Sequence, residues 1–593
     1  MALFINRPQP GPLQAELQQK SAEARQHRLS FLGTGPFLAG YGTHCPGLEG
    51  YRYHRVGPDP LPWKARFSAR RWKSQLDPDY RPIDWQRDYH SGYRWSESVA
   101  SKQLKFGLVA GSDIRVAWEL GRCQHLLPLA LCGEGREVNQ QIADFMAHNP
   151  VGYGVQWFYA MDAALRMSNF IVAWEILRLH GQPPPPWATQ VVEQHVQFIW
   201  KHPEWHPQLR TNHYLSNLCG LAVGLAFLSD VGQRQEQLRA VLRLLDPSIH
   251  EQFGPSGANL EASTHYHRLS AEMAAWALAA LQHRGLRASV SSLSRLRGAG
   301  HFTLRLTRPD GRIVAWGDGD DGRFLPIAPA QIDDHRGLGG LMGHLFGDEV
   351  LLNWSGPYAF EGELAKDLLG GSSWEAPLPV LPTLPAADLS DPPEHASRWR
   401  LEHLEPPEHS WGYEDFGVYV WRGPEFFLAL RCGELGQMGR GGHAHCDQLS
   451  MELYFRQPLL TDPGTYVYTG LPEARNHYRC TSAHNGPRLP GWEQADVSVN
   501  LFRLERAVQA ERLHFSPTGF EGRMACQGGW LHRQLRWREG GLEIADWWTL
   551  GPGVHGIAEI MAGHNPGDAQ ALALSPGYGQ LDPSSMLLSG RPL

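Results

Sequence analysis

Charged residues are scarce in this chain of 593 residues: Asp, Glu, Lys and Arg make up only 19%. They divide into 54 basic and 61 acidic groups, a net of −7. Such a chain has no overall positive field to draw nucleic acid or an anionic membrane, although a local basic cleft stays open. Long apolar runs are missing too. The longest, such as Leu221–Leu228 and Met273–Leu281, fall far short of the ~20 residues that span a bilayer, so no membrane span is expected. Cysteine is thin: Cys45, Cys123, Cys132, Cys219, Cys432, Cys446, Cys480 and Cys526 are scattered, with no C-x-x-C. That excludes a dense disulfide framework and suits a reducing compartment or free buried thiols. The opening MALFINRPQPGPLQAELQQK lacks a basic segment followed by an apolar one. The expectation is a cytoplasmic protein, with the periplasm as the alternative.

What is present is apolar and aromatic. The hydrophobic fraction is 42%, with 22 Trp and 18 Tyr. At roughly 100–200 residues per domain the length implies two domains or more. The aromatics fill cores; wide carbohydrate clefts also use aromatic platforms.

The chain has three successive textures. Residues 1–100 read as an irregular segment rich in Pro, Arg and aromatics, packing on the helical region. Residues 101–370 carry helical spacing. Leu215, Leu218, Ala222, Leu225 and Ala226 recur at steps of three and four, as do Tyr266, Leu269, Met273, Trp276 and Ala280. Val155–Leu177 repeats the habit. Several apolar-faced helices in series, without sustained heptads, suggest a stack or ring of helix pairs. Residues 371–397 hold Pro377, Pro379, Pro382, Pro385, Pro392 and Pro393, a composition that suits an extended linker. From 398 to 593 the period changes to two. GVYVWRG, EFFLALRCG, QLSMELYF, WLHRQLRWREG and LEIADWWTLG read as strands between Gly, Pro and Asp turns. The fold class is therefore multidomain, α then β, the second part an antiparallel β-sandwich.

Three clusters carry the chemistry. The densest is Gly436–Gly470, with TSAHNG soon after it. It holds His443 and His445 two residues apart, then Asp462, then His484. Two His and one Asp are ligands that zinc accepts; the alternative is that Asp462 only builds a turn and the histidines line a polar surface. HAHCDQ partly fits the H-x-H-x-D-H run of metallo-β-lactamase-like hydrolases, but Gln448 stands where that run needs His. The second cluster is TNHYLSN. Asn212 and His213 would project from a helix N-terminus, where backbone N–H groups favour an anion; otherwise Asn212 is a cap. The third is GPSGANLEASTHYHRL, a Gly-rich loop entering a helix with Glu261, Tyr266 and His267; otherwise Tyr266 belongs to the core stripe. GDGDDGRF, with Asp318, Asp320 and Asp321, starts like an EF-hand but lacks its later ligands, and reads as a loop between helices.

In this order, with the Pro-rich link between helical and β regions, these clusters resemble the heparinase II/III-like superfamily of polysaccharide lyases. The resemblance runs over roughly residues 80–560. It includes Ile83–Leu126, similar to family members found with exopolysaccharide biosynthesis genes, and Gly154–Ile176. It is densest in Gly442–Gly486. It implies an incomplete (α/α) toroid followed by an antiparallel β-sandwich, with the active cleft between them. It places the family's cleft Asn-His on Asn212 and His213, its catalytic tyrosine on Tyr266 and its second-domain cleft histidine on His443. Its metal ligands fall on His445, Asp462 and His484, holding one divalent ion, zinc by donor set, in a mainly structural role. Trp157, Arg166, Glu261 and His267 are expected at substrate subsites. Many relatives have Asn where Thr211 and Gln156 stand, and Asn or His in place of Cys446.

The implied reaction is β-elimination on a uronate-containing glycan: C5 loses its proton and the C4 oxygen departs. Such a site must neutralise the carboxylate, supply a base and protonate the leaving oxygen. Asn212 suits the carboxyl group, His213 or His443 the base, and Tyr266, with an ordinary pKa near ~10, the acid. A uronyl C5-epimerase on the same scaffold, and a non-catalytic glycan-binding protein, are the rivals. The expected partner is an acidic polysaccharide or oligosaccharide.

Overall fold

The computed structural model describes residues 11–55, 57–228, 232–320, 322–370, 373–382, 389–550, 573–575, 578, 580 and 582–586. Asp321 lies outside them, as do most of the positions after 550.

The helical half runs α1 (Gly11–Arg25), α2 (Trp63–Lys73), α3 (Ile114–Gly121), α4 (Leu126–Leu131), α5 (Gly135–His148), α6 (Ala160–Leu179) and α7 (Ala188–Lys201). It continues through α8 (Asn212–Phe227), α9 (Gly232–Gln252), α10 (Thr264–His283), α11 (Val290–Leu306), α12 (Arg336–Phe346), α13 (Glu349–Ser355) and α14 (Phe360–Leu369). Consecutive even-numbered helices pack on one another from α4 to α14, forming an open inner ring; α1, α7, α9, α11 and α13 lie against its outside. This is an incomplete (α/α) toroid. Inner helices are enclosed on every side, so their apolar surface runs all round rather than along a stripe. In α10 every position from Thr264 to Leu281 is buried. Small residues permit the close approach: a Cβ added at Gly220 of α8 would stand 2.5 Å from the Cβ of Ala164 in α6.

The first hundred residues are more regular than their composition suggests, since they contain α1 and α2. Their apolar spacing is sparse, Leu13 and Leu17 in α1 and Ala65, Ala69 and Trp72 in α2, and the toroid wall they cover supplies the rest of the contact. The Val155–Leu177 pattern divides into a single 3-10 turn, Val155–Trp157, and α6.

After the extended link come two antiparallel five-stranded sheets. β1 (Arg28–Leu29) and β2 (Phe37–Leu38) form a small pair near the N-terminus. The first large sheet uses β3 (Ser397–Glu402), β9 (Ala510–Ser516), β10 (Gly519–Cys526), β11 (Gly529–Arg538) and β12 (Gly541–Leu550), in the order β3-β12-β11-β10-β9. The second uses β4 (His409–Tyr413), β5 (Val418–Arg422), β6 (Phe426–Arg431), β7 (Met451–Phe455) and β8 (Gln457–Leu460), paired in sequence. The α-then-β architecture expected from periodicity is the one observed.

The middle of the second sheet, β5 and β6, is buried on both faces. Tyr419, Trp421, Leu428 and Leu430 pack against Phe515, Phe520, Leu531 and Ile544 of the first sheet. Their neighbours Val418, Val420, Phe427 and Ala429 pack against Phe302, Leu306, Val314 and Trp316 of the toroid. That explains why VYVW and FFLALR read as continuous apolar runs instead of alternating. It also clamps the sheet to the toroid, so the β6–β7 loop, which carries His443 and His445, is pressed against the ring's open end. Among the described residues, no helix is long and apolar enough to cross a membrane.

Candidate active site

A cleft of about 480 Å³ lies between the toroid and the sandwich loops. Its toroid wall includes Arg115, Trp118, Tyr159, His213, Tyr266 and Asp320; its sandwich wall includes Arg440, His443, Tyr468 and Phe502.

The E-x-S-x-x-Y-H pattern has a local logic. Ser263 is the N-cap of α10: its hydroxyl oxygen accepts from the Tyr266 N–H at 3.2 Å and its O–H donates to the Asp318 carbonyl at 2.6 Å. That fixes Tyr266 in the first turn of α10, facing the cleft. Glu261 reaches the other way, accepting from the backbone N–H of Asn212 and, at 2.7 Å, from its Nδ2. His267 braces the entry loop. Its Nδ1 accepts from the Asn259 N–H at 3.2 Å and its Nε2 lies 3.1 Å from the Ala299 carbonyl. Burial pushes it down to about 4, so the ring is neutral.

Tyr266 meets the sandwich directly. Its ring stacks on His443 with centroids 3.6 Å apart and planes 18° from parallel. Its hydroxyl donates to Asp320 Oδ2 at 3.1 Å and lies 3.4 Å from the Tyr468 hydroxyl. Burial, reinforced by the Asp320 charge, holds the phenol protonated, well above its ordinary range. Asp320 is buried as well, which favours its neutral form, but Arg115 and Arg122 outweigh that and keep it ionised below the usual carboxylate range.

His443 is held by Asp318, whose Oδ2 is 3.0 Å from His443 Nδ1; its Nε2 lies 3.5 Å from Glu261 Oε2. Asp318 belongs to the toroid, yet most of its partners come from the sandwich half. Arg475, in α15 (Pro472–Arg479), donates two hydrogen bonds to it at 2.7 and 2.8 Å, and His445 Nε2 is 3.1 Å away. The backbone is tied too: the Asp318 N–H donates to the His443 carbonyl at 2.8 Å. Gly317, at φ +69°, precedes it where a Cβ would come within 2.5 Å of the carbonyls of both Ala262 and His443.

On the toroid side His213 Nδ1 is 2.7 Å from Glu204 Oε1. Burial alone would lower its pKa, but the Glu204 carboxylate outweighs that and raises it.

The structure brings His213, Tyr266 and His443 to one cleft. Asn212 is fully buried behind it: its Nδ2 is engaged by Glu261, and its Oδ1 has no hydrogen-bond partner among the described residues. It therefore supports the wall through Glu261. Glu261 and His267 likewise lie behind the wall. Trp157 and Arg166 need correction as subsite residues, because both are interior. Trp157 donates from Nε1 to the Asn149 carbonyl at 2.9 Å. Arg166 is saturated by the Gly121 and Gln156 carbonyls and His195 Nε2. Arg166 lies on α6 as expected, on a face that turns into the ring, whereas Trp157 ends the 3-10 turn that precedes it.

Sequence reasoning missed Asp318, Asp320, Arg115, Arg475, Glu204 and Tyr468. For Asp318 and Asp320 a signal existed: GDGDDGR concentrates three acids beside a single arginine in a Gly-rich loop. It is a loop between helices, α11 and α12, as read, but Asp318 and Asp320 bind arginines far away in sequence.

His445, Asp462 and His484 lie at the base of the sandwich loops. The His445 and His484 rings are 5.5 Å apart, and His484 Nδ1 is 3.0 Å from Asp462 Oδ2. His445 Nδ1 and His484 Nε2 are buried without a hydrogen-bond partner among the described residues. Such groups call for a partner, and the donor types fit a divalent cation. Among the described residues, however, no group of three or more His, Cys, Asp or Glu is converged enough to hold a metal ion.

Two family models match the chain: "Heparinase II/III N-terminus" over residues 67–324 and "Heparinase II/III-like, C-terminal" over residues 405–545. Together they span about two thirds of the sequence. Solved structures similar to it include the heparan sulfate lyase HepC from Pedobacter heparinus, at 14% identity and a TM-score of 0.44, covering 91% of this chain and 74% of that one. Another is heparinase III, at 12% identity and a TM-score of 0.49, covering 90% and 77%. No curated protein matches the sequence significantly.

Proposed function

Because the chain belongs to the heparinase II/III-like family, we propose that it is a polysaccharide lyase that cleaves a uronate-containing glycan by β-elimination. The observation that carries this reading is the convergence of His213, Tyr266 and His443 from both halves on one cleft. Arg440 adds to it. The cleft arginines Arg115 and Arg122 are paired with acids, whereas Arg440 has no hydrogen bond or ion pair with a carboxylate among the described residues. It is a cation free to meet an acidic sugar.

In this reading a neutral imidazole takes the C5 proton, the C4–O bond breaks, and a C4–C5 double bond forms. Tyr266, kept protonated by burial and by Asp320, donates its proton to the departing C4 oxygen. The Tyr266–His443 stack supports this reading, since it would set acid and imidazole side by side on one face of a bound sugar. Arg440 and His213 provide positive charge for the carboxylate, whose negative charge otherwise opposes loss of the C5 proton.

A divalent metal held by His445, Asp462 and His484, zinc by donor preference, belongs to the same reading. The unpartnered His445 Nδ1 and His484 Nε2 support it. When bound, it would brace the loops below His443. One ion per chain is expected in protein produced with ample zinc, and chelation should lower the melting temperature. Metal-free protein with unchanged stability would remove this part.

The reaction is tested by incubating the protein with a panel of uronate polymers. New ultraviolet absorbance from unsaturated ends is expected. Saturated ends would indicate hydrolysis, and solvent deuterium at C5 without cleavage would indicate epimerisation; either overturns the lyase.

A further inference from the structure

Two histidines face the cleft, each with a carboxylate at its Nδ1, but the two carboxylates are set differently. Asp318, beside His443, is neutralised by the bidentate Arg475. Glu204, beside His213, has no Lys or Arg partner among the described residues. Its Oε2 accepts from the Met161 N–H at 2.6 Å and from Asn217 Nδ2 at 3.0 Å, and its own N–H donates to Asn217 Oδ1 at 2.7 Å. The Met161 N–H is one of the unpaired donors at the start of α6, an end that favours negative charge. Every protein group on Oε2 is a donor, and Oε1 faces His213 Nδ1 at 2.7 Å. With Glu204 as the acceptor throughout, the proton between them lies on His213 Nδ1.

We infer that Glu204 is a positioning residue: it fixes His213 with Nδ1–H on the carboxylate and Nε2 toward the cleft, and makes the ring an imidazolium that meets the acidic group of a substrate. The first half stands on geometry alone; the second rests on the glycan-lyase reading. Other groups around the ring agree. Asp162 of α6, itself paired with Arg122, and Glu261 before α10 add negative charge. Tyr159 packs edge-on at 5.0 Å and is neutral. The His213 side chain is 34% exposed, so burial, which opposes charge, acts on only part of the ring. The cation persists while the pH stays below the raised titration midpoint and is lost as the pH rises through it.

The test is nitrogen NMR of the full-length protein labelled at histidine, with the His213 signals identified by their loss in His213→Gln. In the substrate-free wild type, the neutral ring should carry its proton on Nδ1. Glu204→Gln should lower the His213 midpoint by about 1–3 pH units, the usual effect of removing an opposite charge at this range; Glu204→Asp should restore most of it. A neutral ring protonated at Nε2, or an unchanged midpoint in folded Glu204→Gln, would overturn the inference. If Glu204→Gln does not fold, the wild-type tautomer alone decides. Because no substrate is used, a protein inactive on every uronate polymer would sink the lyase reading and leave this result standing.

Discussion

The two walls of the cleft are built by different means. On the toroid wall, Asn212, His213 and Tyr266 stand in the first turns of α8 and α10, positioned by helix geometry, by the Ser263 cap and by short links to Glu204 and Glu261. On the sandwich wall, His443 and Tyr468 sit in loops between strands. Those loops are held by an ionic clamp on Asp318, a toroid residue, and by Tyr578, whose hydroxyl accepts from the Tyr468 N–H at 2.7 Å. One wall is local and self-supporting. The other is correct only when the two halves are docked. The difference makes Asp318 the joint on which the site depends.

Breaking that joint should have the largest effect on stability. Asp318→Ala leaves Arg475 buried without its counter-charge, and truncating one partner of such a pair costs about 3–5 kcal/mol. Denaturant unfolding should show a loss of that order. A loss below about 1 kcal/mol would mean the sandwich loops hold themselves.

Asp320 sharpens the comparison from the toroid side. Its carboxylate accepts hydrogen bonds from Arg115 and Tyr266, so Asp320→Asn should cost about 1–3 kcal/mol at neutral pH. Its folded pKa is depressed. The stability it contributes is therefore present above the unfolded value near ~3.9 and lost as pH falls through the lower folded value. The gap between wild type and Asp320→Asn should shrink below about pH 4. A gap that widens there would contradict the charged pairing. The smallest structural effect is expected at Arg440, which makes no ion pair among the described residues. Arg440→Ala should leave stability within about 0.5 kcal/mol while lowering kcat/KM by roughly tenfold or more, the equivalent of about 1.4 kcal/mol. An unchanged kcat/KM would remove Arg440 from the site.

The same contrast decides what was legible in the sequence. Spacing of Leu215, Leu218, Ala222 and Leu225 marks the body of α8, because packing of an enclosed helix is written in its own residues. The strands β5, β6, β11 and β12 were legible for the same reason. Tyr266 and His213 could be placed because a cap or helix start lies beside them. Asp318 and Arg475, 157 positions apart in the chain, could not be paired, since charge attraction across a domain interface leaves no periodic trace. Trp157 and Arg166 show the converse. The helix of Arg166 was readable and the 3-10 turn of Trp157 was not, but whether either side chain faces the cleft or the ring is set by how neighbouring helices close around it.

The most direct measurement is turnover and melting of Tyr266→Phe on the best uronate substrate of the panel. The substitution removes one hydroxyl and keeps the ring that stacks on His443. If Tyr266 donates the proton to the C4 oxygen, kcat should fall by at least about a hundredfold, the low end of general acid catalysis. Substrate binding should persist, and the melting temperature should drop only by the worth of the Asp320 hydrogen bond. A folded Tyr266→Phe protein that still produces unsaturated ends at near wild-type rate would contradict the account.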